Sequence, residues 1–143
     1  MKKTASRQKM NSSANYNCKT LDLVLMHRWY DMIGDGEKPV EYRKAVPHWI
    51  KRLLLNYDRS VQEYISIDSV TAAALSKDHD AIHSGLKDGT LKFKEFQSVR
   101  FRRGYTRTTM EFKIQDITFG FGESALGAPE DERVFRIKIK PND

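Results

Sequence analysis

Apolar and polar residues alternate along three segments in the last third of the chain, and no other feature constrains the fold as strongly. Val99 and Phe101 alternate with arginines, and the same period of two returns in residues 110–114 and 135–139. Because successive side chains of a strand point to opposite faces of a sheet, each segment predicts a half-buried β-strand. The alternation shifts by one residue near Gln115, which predicts a β-bulge that curves the sheet.

The first part of the chain predicts a strand followed by a short helix. Residues 20–26 indicate the strand, and the continuous apolar run at its end predicts burial on both faces. Helical spacing in residues 28–34 predicts a helix that buries Trp29, Met32 and Ile33. A second strand is expected in the segment that follows.

That second strand covers residues 39–43, and Pro47 suits the first turn of a helix that continues to about Asn56. Together the strands and helices predict an α+β fold, a small curled β-barrel of about five or six strands with flanking helices. The residues expected inside the barrel are Leu23, Leu25, Val99, Phe101, Phe112, Ile114 and Ile137.

Residues 57–96 differ in character from the segments on either side. They contain a capping-box pattern at 60–63 and a helix-prone run at 69–75. We therefore expect a mostly helical insertion between the strands of the barrel.

The chain of 143 residues is expected to form one domain, and its charge is unevenly distributed. Of the formal net charge of +6, residues 1–19 hold five Lys or Arg and no acid, which leaves +1 for the remainder. The first 19 residues also lack any apolar pattern, so they predict a disordered basic tail of the kind that contacts phosphates or aids solubility.

Several classes of protein are excluded by composition. No apolar run approaches the roughly 20 residues that cross a bilayer, and the N-terminus lacks the apolar segment of a secretory signal. The single cysteine, Cys18, cannot form an internal disulfide and fits a reducing compartment. We therefore expect a cytoplasmic protein without a membrane partner.

Cofactor and metal motifs are weak or missing. The chain has no phosphate-binding loop, no dinucleotide fingerprint and no nucleophile elbow, so no cofactor is predicted. His79 and His83 have the i, i+4 spacing of a zinc pair, but no third ligand accompanies them. An exposed helix face explains this pair more simply, and no metal is predicted.

The charged stretch at residues 36–43 holds the strongest candidate site. Glu41 and Arg43 are two residues apart on a predicted strand, so both point to the same face. Lys38 lies just before the strand, where a loop side chain reaches the same cleft. The plain alternative is a surface hairpin with a solvated ion pair, since exposed pairs are common and weak.

Basic and aromatic residues are also interleaved at the start of the β-rich third. Phe101 and Tyr105 lie among Arg100, Arg102, Arg103 and Arg107. Cations for phosphates and rings for bases are what single-stranded nucleic acid requires. The alternative is a strand whose basic solvent face is balanced by acids such as Glu111.

These motifs resemble the signature of the ASCH domain family, named for activating signal cointegrator homology and related to the PUA RNA-binding domain. One block is the Gly-x-Lys-x-x-Glu-x-Arg pattern that ends at Arg43. The second block contains Val99-x-Phe101-x-x-Gly104-Tyr105, Ile117-x-x-Gly120-x-Gly122, Gly127-Ala128-Pro129 and Val134-Phe135-Arg136-Ile137.

The resemblance covers roughly residues 20–56 and 97–140. It implies an ASCH/PUA-like domain over residues 20–143, with an insertion at about 57–96 and the tail of residues 1–19 outside it. It also implies a PUA-like barrel that binds RNA or a nucleotide-like ligand in a cleft.

In the binding function that the resemblance implies, Lys38 and Arg43 contact phosphate or a base carbonyl. Glu41 orients Arg43 or accepts a hydrogen bond from a base amino group. A ring then stacks on the base. The predicted ligand contacts are Lys38, Glu41, Arg43, Tyr105, Trp29 and Arg103.

Two other functions stay open. Some small relatives are described as amidohydrolases that deacetylate N4-acetylcytidine with a Lys, a Thr and a Glu, and another as a ribonuclease. Lys38 matches that Lys, whereas Glu41 stands at the Thr position, so a direct Thr nucleophile is missing. In a hydrolase, Glu41 would act as the general base and Lys38 would stabilise the oxyanion. The third function is an accessory module that binds another protein through the insertion.

Overall fold

The structure is a computed structural model and describes residues 20–141. The predicted disordered tail, residues 1–19, lies outside the described residues. In chain order the elements are β1 Thr20–Leu25, α1 His27–Gly34, β2 Val40–Lys44, α2 Pro47–Leu53, β3 Leu54–Asp58, β4 Glu63–Ser66, α3 Ser69–Ser76, α4 His79–Asp88, β5 Leu91–Phe93, β6 Ser98–Arg103, β7 Thr109–Phe121, a 3-10 turn Ser124–Leu126 and β8 Arg133–Ile139.

The described chain divides into two compact units. The middle unit is Lys44–Glu95, and the sheet unit contains residues 20–43 and 96–141. Within residues 20–141, no helix is both long and apolar enough to cross a bilayer.

The sheet unit contains a curled five-stranded sheet in the order β1-β6-β7-β8-β2, which forms a half-barrel. β1 is parallel to β6, whereas the β6–β7 and β7–β8 pairs are antiparallel, so the sheet is mixed. β1 and β2 are its two edge strands. The predicted α+β class and the predicted curled sheet are confirmed.

The alternation of apolar residues predicts the core of this sheet correctly at nearly every position. Ile114 is the exception, because it is only half-buried. It lies beside a shift in register between Ile114 and Asp116, where β7 pairs with β8, and this confirms the predicted bulge. The predicted core residues that are buried are Leu23, Leu25, Val99, Phe101, Phe112 and Ile137.

Two predictions about the first elements are wrong in detail. β1 is buried on one face only, since Val24 is 42% exposed and Met26 is 70% exposed. A strand at the edge of a half-barrel has one face on the core, and a continuous apolar run does not change that. In α1 the buried residues are Tyr30 and Ile33, whereas Trp29 and Met32, both predicted to be buried, are half-buried.

The middle unit contains a three-stranded antiparallel sheet, in the order β4-β3-β5, together with α2, α3 and α4. The insertion expected to be mostly helical, residues 57–96, contains α3 and α4, but it also contains β4, β5 and the last two residues of β3, which the sequence did not predict. The helix predicted at residues 69–75 is present as α3, and the Asp68 carboxylate accepts from the Thr71 N–H at its start.

Short-range sequence patterns were misleading at two places in the middle unit, the end of α2 and the turn at Ser60. α2 ends at Leu53 and β3 begins at Leu54, because residues 54–56 pair with β5. The capping-box pattern at 60–63 forms a turn, in which the Asp58 carboxylate accepts from the Ser60 N–H and hydroxyl. Such Asx turns compete locally with helix formation.

Candidate functional site

The edge strand β2 and the loop before it bring Lys38, Glu41 and Arg43 together. An Nη2 hydrogen of Arg43 is donated to Glu41 Oε2 at 2.8 Å, and Lys38 Nζ lies 3.5 Å from Glu41 Oε1. The two-residue spacing of Glu41 and Arg43 along β2 accounts for their shared face. The loop turns toward them at Gly36, whose φ of +82° favours glycine.

The three charged side chains are withdrawn from solvent to different degrees. The exposed fraction of the side chain is 1% for Lys38, 8% for Glu41 and 18% for Arg43. Transferring an isolated charge to such surroundings is costly unless other charges and hydrogen bonds replace water. One carboxylate between two cations provides that compensation and leaves a net charge of +1 in the cluster.

The Lys38 ammonium lies between two aromatic rings and a backbone carbonyl. Its Nζ is 4.9 Å from the centroid of the Trp29 ring and 4.8 Å from that of Tyr42. It also donates a hydrogen bond to the carbonyl oxygen of Leu126. Burial lowers the pKa of Lys38 below its ordinary value, and the nearby Glu41 carboxylate opposes that shift.

Residues 122–128, here called the cover loop, lie over this ammonium. The Glu123 N–H donates to the Tyr42 hydroxyl at 3.2 Å. Gly127 adopts a φ of +105°, and a Cβ atom there would lie 3.2 Å from the Trp29 ring. The cover loop therefore contacts Lys38 itself and also Tyr42 and Trp29, the two aromatic residues that lie beside the Lys38 ammonium.

A cavity of about 330 Å³ lies beside the cluster within the sheet unit. Its lining is mostly apolar and includes Lys38 but neither Glu41 nor Arg43, and Asp35 is the only acid among the described residues that line it. Cavities of a few hundred Å³ with an apolar lining and few polar groups are typical of small-molecule sites. The lining residues are Ile33, Gly34, Asp35, Gly36, Lys38, Pro39, Phe112, Ile139 and Pro141.

The remaining predicted ligand contacts differ in their surroundings. Arg103 forms a bidentate pair with Asp31, with both donor–acceptor distances at 3.0 Å. Hydrogen bonding to Arg103 lowers the pKa of the Asp31 carboxyl. Tyr105 lies in the turn after β6 and is 97% exposed. The ligand contacts of Arg103 and Tyr105 stay predictions.

The basic face predicted around β6 is partly neutralised by acids from neighbouring strands. Arg100 lies 3.2 Å from an Asp22 oxygen on β1 and 3.4 Å from a Glu111 oxygen on β7. Arg102 donates to the Thr106 carbonyl oxygen within the turn. Glu111 thus balances the charge of Arg100, as expected from the sequence, and Asp22 does so as well.

Sequence reasoning missed Tyr42 and the cover loop as parts of the site. Tyr42 lies between Glu41 and Arg43, where strand alternation predicts the opposite face. Residues 127–129 carry a loop signal, but nothing in it indicates contact with a lysine 88 positions earlier.

The histidine pair lies on α4, with His79 half-buried and His83 exposed. Among residues 20–141, no group of three or more His, Cys, Asp or Glu side chains is placed to hold a metal ion.

Comparison with known proteins adds no relative. No protein-family model matches the chain, and neither does any curated protein or any solved structure.

Proposed function

We propose that the protein is a PUA-like module of the ASCH type that binds RNA or a nucleotide-like ligand at Lys38, Glu41 and Arg43. The observation that carries the proposal is the buried charged cluster beside a cavity of about 330 Å³. A core of packed apolar residues would be at least as stable as buried ions. Ligand binding therefore accounts better than stability for the presence of buried ions in this cluster.

The electrostatics favour an anionic ligand. The cluster has a net charge of +1, and the 18% exposed side chain of Arg43 is its most accessible part. A guanidinium recognises phosphate oxygens or a base edge through two parallel N–H donors. Glu41 holds that guanidinium in place, which is the orienting role expected from the sequence.

The aromatic rings near the cluster favour a base over a simple phosphate. Trp29 and Tyr42 flank the Lys38 ammonium, and each presents a ring face near the cluster. The Leu126 carbonyl oxygen accepts one of the three ammonium hydrogens of Lys38, so a ligand that approaches Lys38 from the side of the cover loop displaces that loop. We expect the displaced loop to expose Trp29 for stacking on a base.

The test is binding of fluorescein-labelled single-stranded RNA of mixed sequence, followed by fluorescence anisotropy. Arg43→Ala should weaken binding by about tenfold or more, as expected for lost charge-assisted hydrogen bonds. The matched control is Arg59→Ala, because Arg59 is exposed in the turn between β3 and β4. Circular dichroism verifies that both variants are folded at the assay temperature. Equal affinity of the two variants would contradict the proposal.

A small hydrolase is the second candidate, and the lowered pKa of Lys38 favours it. Burial lowers the pKa of Lys38 beside the Glu41 carboxylate, and ionisable groups with perturbed pKa values cluster at functional sites. Glu41 would then activate water, and Lys38 would stabilise the oxyanion. Incubation with total RNA and with modified nucleosides, followed by mass spectrometry, tests for products. Glu41→Gln should reduce turnover by about a hundredfold or more, and a lack of products would rule this candidate out.

A further inference from the structure

A second candidate site lies in the middle unit. A groove of about 440 Å³ is formed by α2, the first residue of α3 and the segment after β5. Among the described residues that line it there are three cations and no carboxylate. The residues of this basic groove are Pro47, His48, Lys51, Arg52, Ser69 and Lys94.

Hydrogen bonds fix two of the cations in the basic groove. Lys51 Nζ donates to the Ser69 hydroxyl at 3.0 Å, and Lys94 Nζ donates to the Lys51 carbonyl oxygen at 3.0 Å. Arg52 follows Lys51 in the last turn of α2, where the helix dipole favours positive charge. Three cations in the lining favour an anion in the groove over a cation.

The acid nearest in sequence has a different role. Asp68 precedes Ser69, and its carboxylate accepts from the Thr71 N–H at 2.7 Å as the N-cap of α3. Bonding to Thr71 is the main reason that the pKa of Asp68 is lowered, and Lys51 contributes least. Asp68 therefore satisfies the helix terminus rather than filling the groove.

An exposed aromatic ring adjoins the cations. His48 lines the groove and is solvent-exposed, and its ring meets the Trp49 ring edge-on with centroids 4.6 Å apart. Cations next to a supported aromatic ring are the combination that single-stranded nucleic acids bind. An acidic peptide needs the cations but not the ring, so the observations favour a polynucleotide.

We propose that the basic groove binds phosphate groups of a single-stranded polynucleotide, with His48 stacked against a base. All of the groove residues belong to the middle unit, and none of them is part of the Lys38 cluster. Lys51 and Lys94 contact phosphate oxygens, and the Ser69 hydroxyl is a further donor. The proposal adds a second nucleic-acid site, formed by residues 47–52 together with Ser69 and Lys94.

The test uses the full chain and a labelled single-stranded RNA of about 12 nucleotides, which is within the usual range of site sizes. Anisotropy titrations run between about 50 and 200 mM salt. The groove variant is Lys51→Glu with Lys94→Glu. The matched control is Lys77→Glu with Lys87→Glu, because these exposed lysines belong to the same unit but not to the groove.

We expect the groove variant to bind about tenfold more weakly than the control at low salt. Its salt dependence should be flatter by about 1.4 in log–log slope, from two lost phosphate contacts on a single strand. His48→Ala should weaken binding about fivefold or more, the effect of one lost stacking contact. If the charge reversal perturbs folding, Lys51→Gln with Lys94→Gln removes the charges and retains a donor at each position.

Other outcomes overturn the proposal. Equal binding by the groove variant and the control does so, and so does a wild-type protein that does not bind the RNA. Displacement of the RNA by polyglutamate at equal charge concentration would assign the groove to an acidic protein instead. Arg43→Ala in the same titrations separates the two sites, because a loss confined to Arg43→Ala supports only the Lys38 cluster. A loss confined to the groove variant supports only the groove.

Discussion

The guanidinium of Arg43 donates a hydrogen bond to the carbonyl oxygen of Val24 at 3.0 Å, and this bond joins the two edge strands of the curled sheet. Arg43 lies on β2 and Val24 on β1, at opposite ends of the strand order. The same Nη2 atom is 2.8 Å from Glu41. One side chain therefore links the charged cluster to the closure of the half-barrel.

Replacing Arg43 should consequently affect stability as well as binding. We expect Arg43→Ala to lower the free energy of unfolding by about 1.5–3 kcal/mol, since charged groups lose hydrogen-bond partners. Arg43→Lys should recover only part of this, because an ammonium lacks the planar fork. Urea unfolding measures both, with Arg59→Ala expected within about 0.5 kcal/mol of wild type as a surface control. A wild-type stability for Arg43→Ala would show that the bond to Val24 contributes nothing.

The Lys38–Glu41 pair should show strong coupling. Glu41→Gln leaves the Lys38 ammonium buried without its carboxylate, and breaking a buried pair in this way costs about 3 kcal/mol. The double variant Lys38→Met, Glu41→Gln should be more stable than Glu41→Gln alone, because the methionine is apolar and of similar length. A double-mutant cycle by urea unfolding gives the coupling energy. Additive effects within about 0.5 kcal/mol would mean that the two groups do not interact.

Stability should depend on alkaline pH through Lys38. Burial lowers the pKa of Lys38 from its ordinary value of 10.5. Below the folded-state pKa the lysine is protonated in both states, so the cost of burying its charge is present in full. Between the folded-state pKa and 10.5 the unfolded chain binds more protons, so the free energy of unfolding rises with pH.

Comparison with Lys38→Met isolates this effect. The free energy of unfolding of the wild type, minus that of Lys38→Met, should increase as pH rises toward 10.5. Urea titrations at several pH values above neutrality measure the difference, and other titrating groups cancel between the two proteins. A difference that is constant or falls with pH would mean that the folded-state pKa is not lowered.

Gly36, in the loop before β2, and Gly127, in the cover loop, allow the cost of backbone strain to be distinguished from the cost of a packing clash. Gly36 has a φ of +82° with nothing within 4 Å of an added Cβ, whereas at Gly127 the Trp29 ring would be 3.2 Å away. Gly36→Ala should cost about 1–2 kcal/mol from the left-handed backbone alone. Gly127→Ala should cost more, because the Trp29 ring or the loop must also shift.

Hydrogen exchange of the Glu123 amide reports on the loop itself, since this amide donates to the Tyr42 hydroxyl. Gly127→Ala should accelerate that exchange, and Gly36→Ala should leave it unchanged. Equal exchange in both variants would indicate that the contact between Gly127 and Trp29 does not hold the loop.

Features that depend on the local period of the backbone could be predicted from the amino-acid sequence. The alternation at Val99 and Phe101 predicted a strand with one buried face, and the slip near Gln115 predicted the bulge. The spacing of Glu41 and Arg43 predicted their shared face and hence their ion pair. These predictions hold because the direction of a side chain follows from its position along a strand.

Contacts between groups that are distant in the sequence could not be predicted, because they depend on the assembled fold. The apolar run at residues 53–55 fits a helix or a strand, and pairing with β5 begins the strand at Leu54. The environment of Lys38 depends on Leu126, which is 88 residues away in sequence. Asp22 meets Arg100 because β1 pairs with β6 in one particular register. Strand order and register arise from burial summed over the whole sheet, which no local pattern contains.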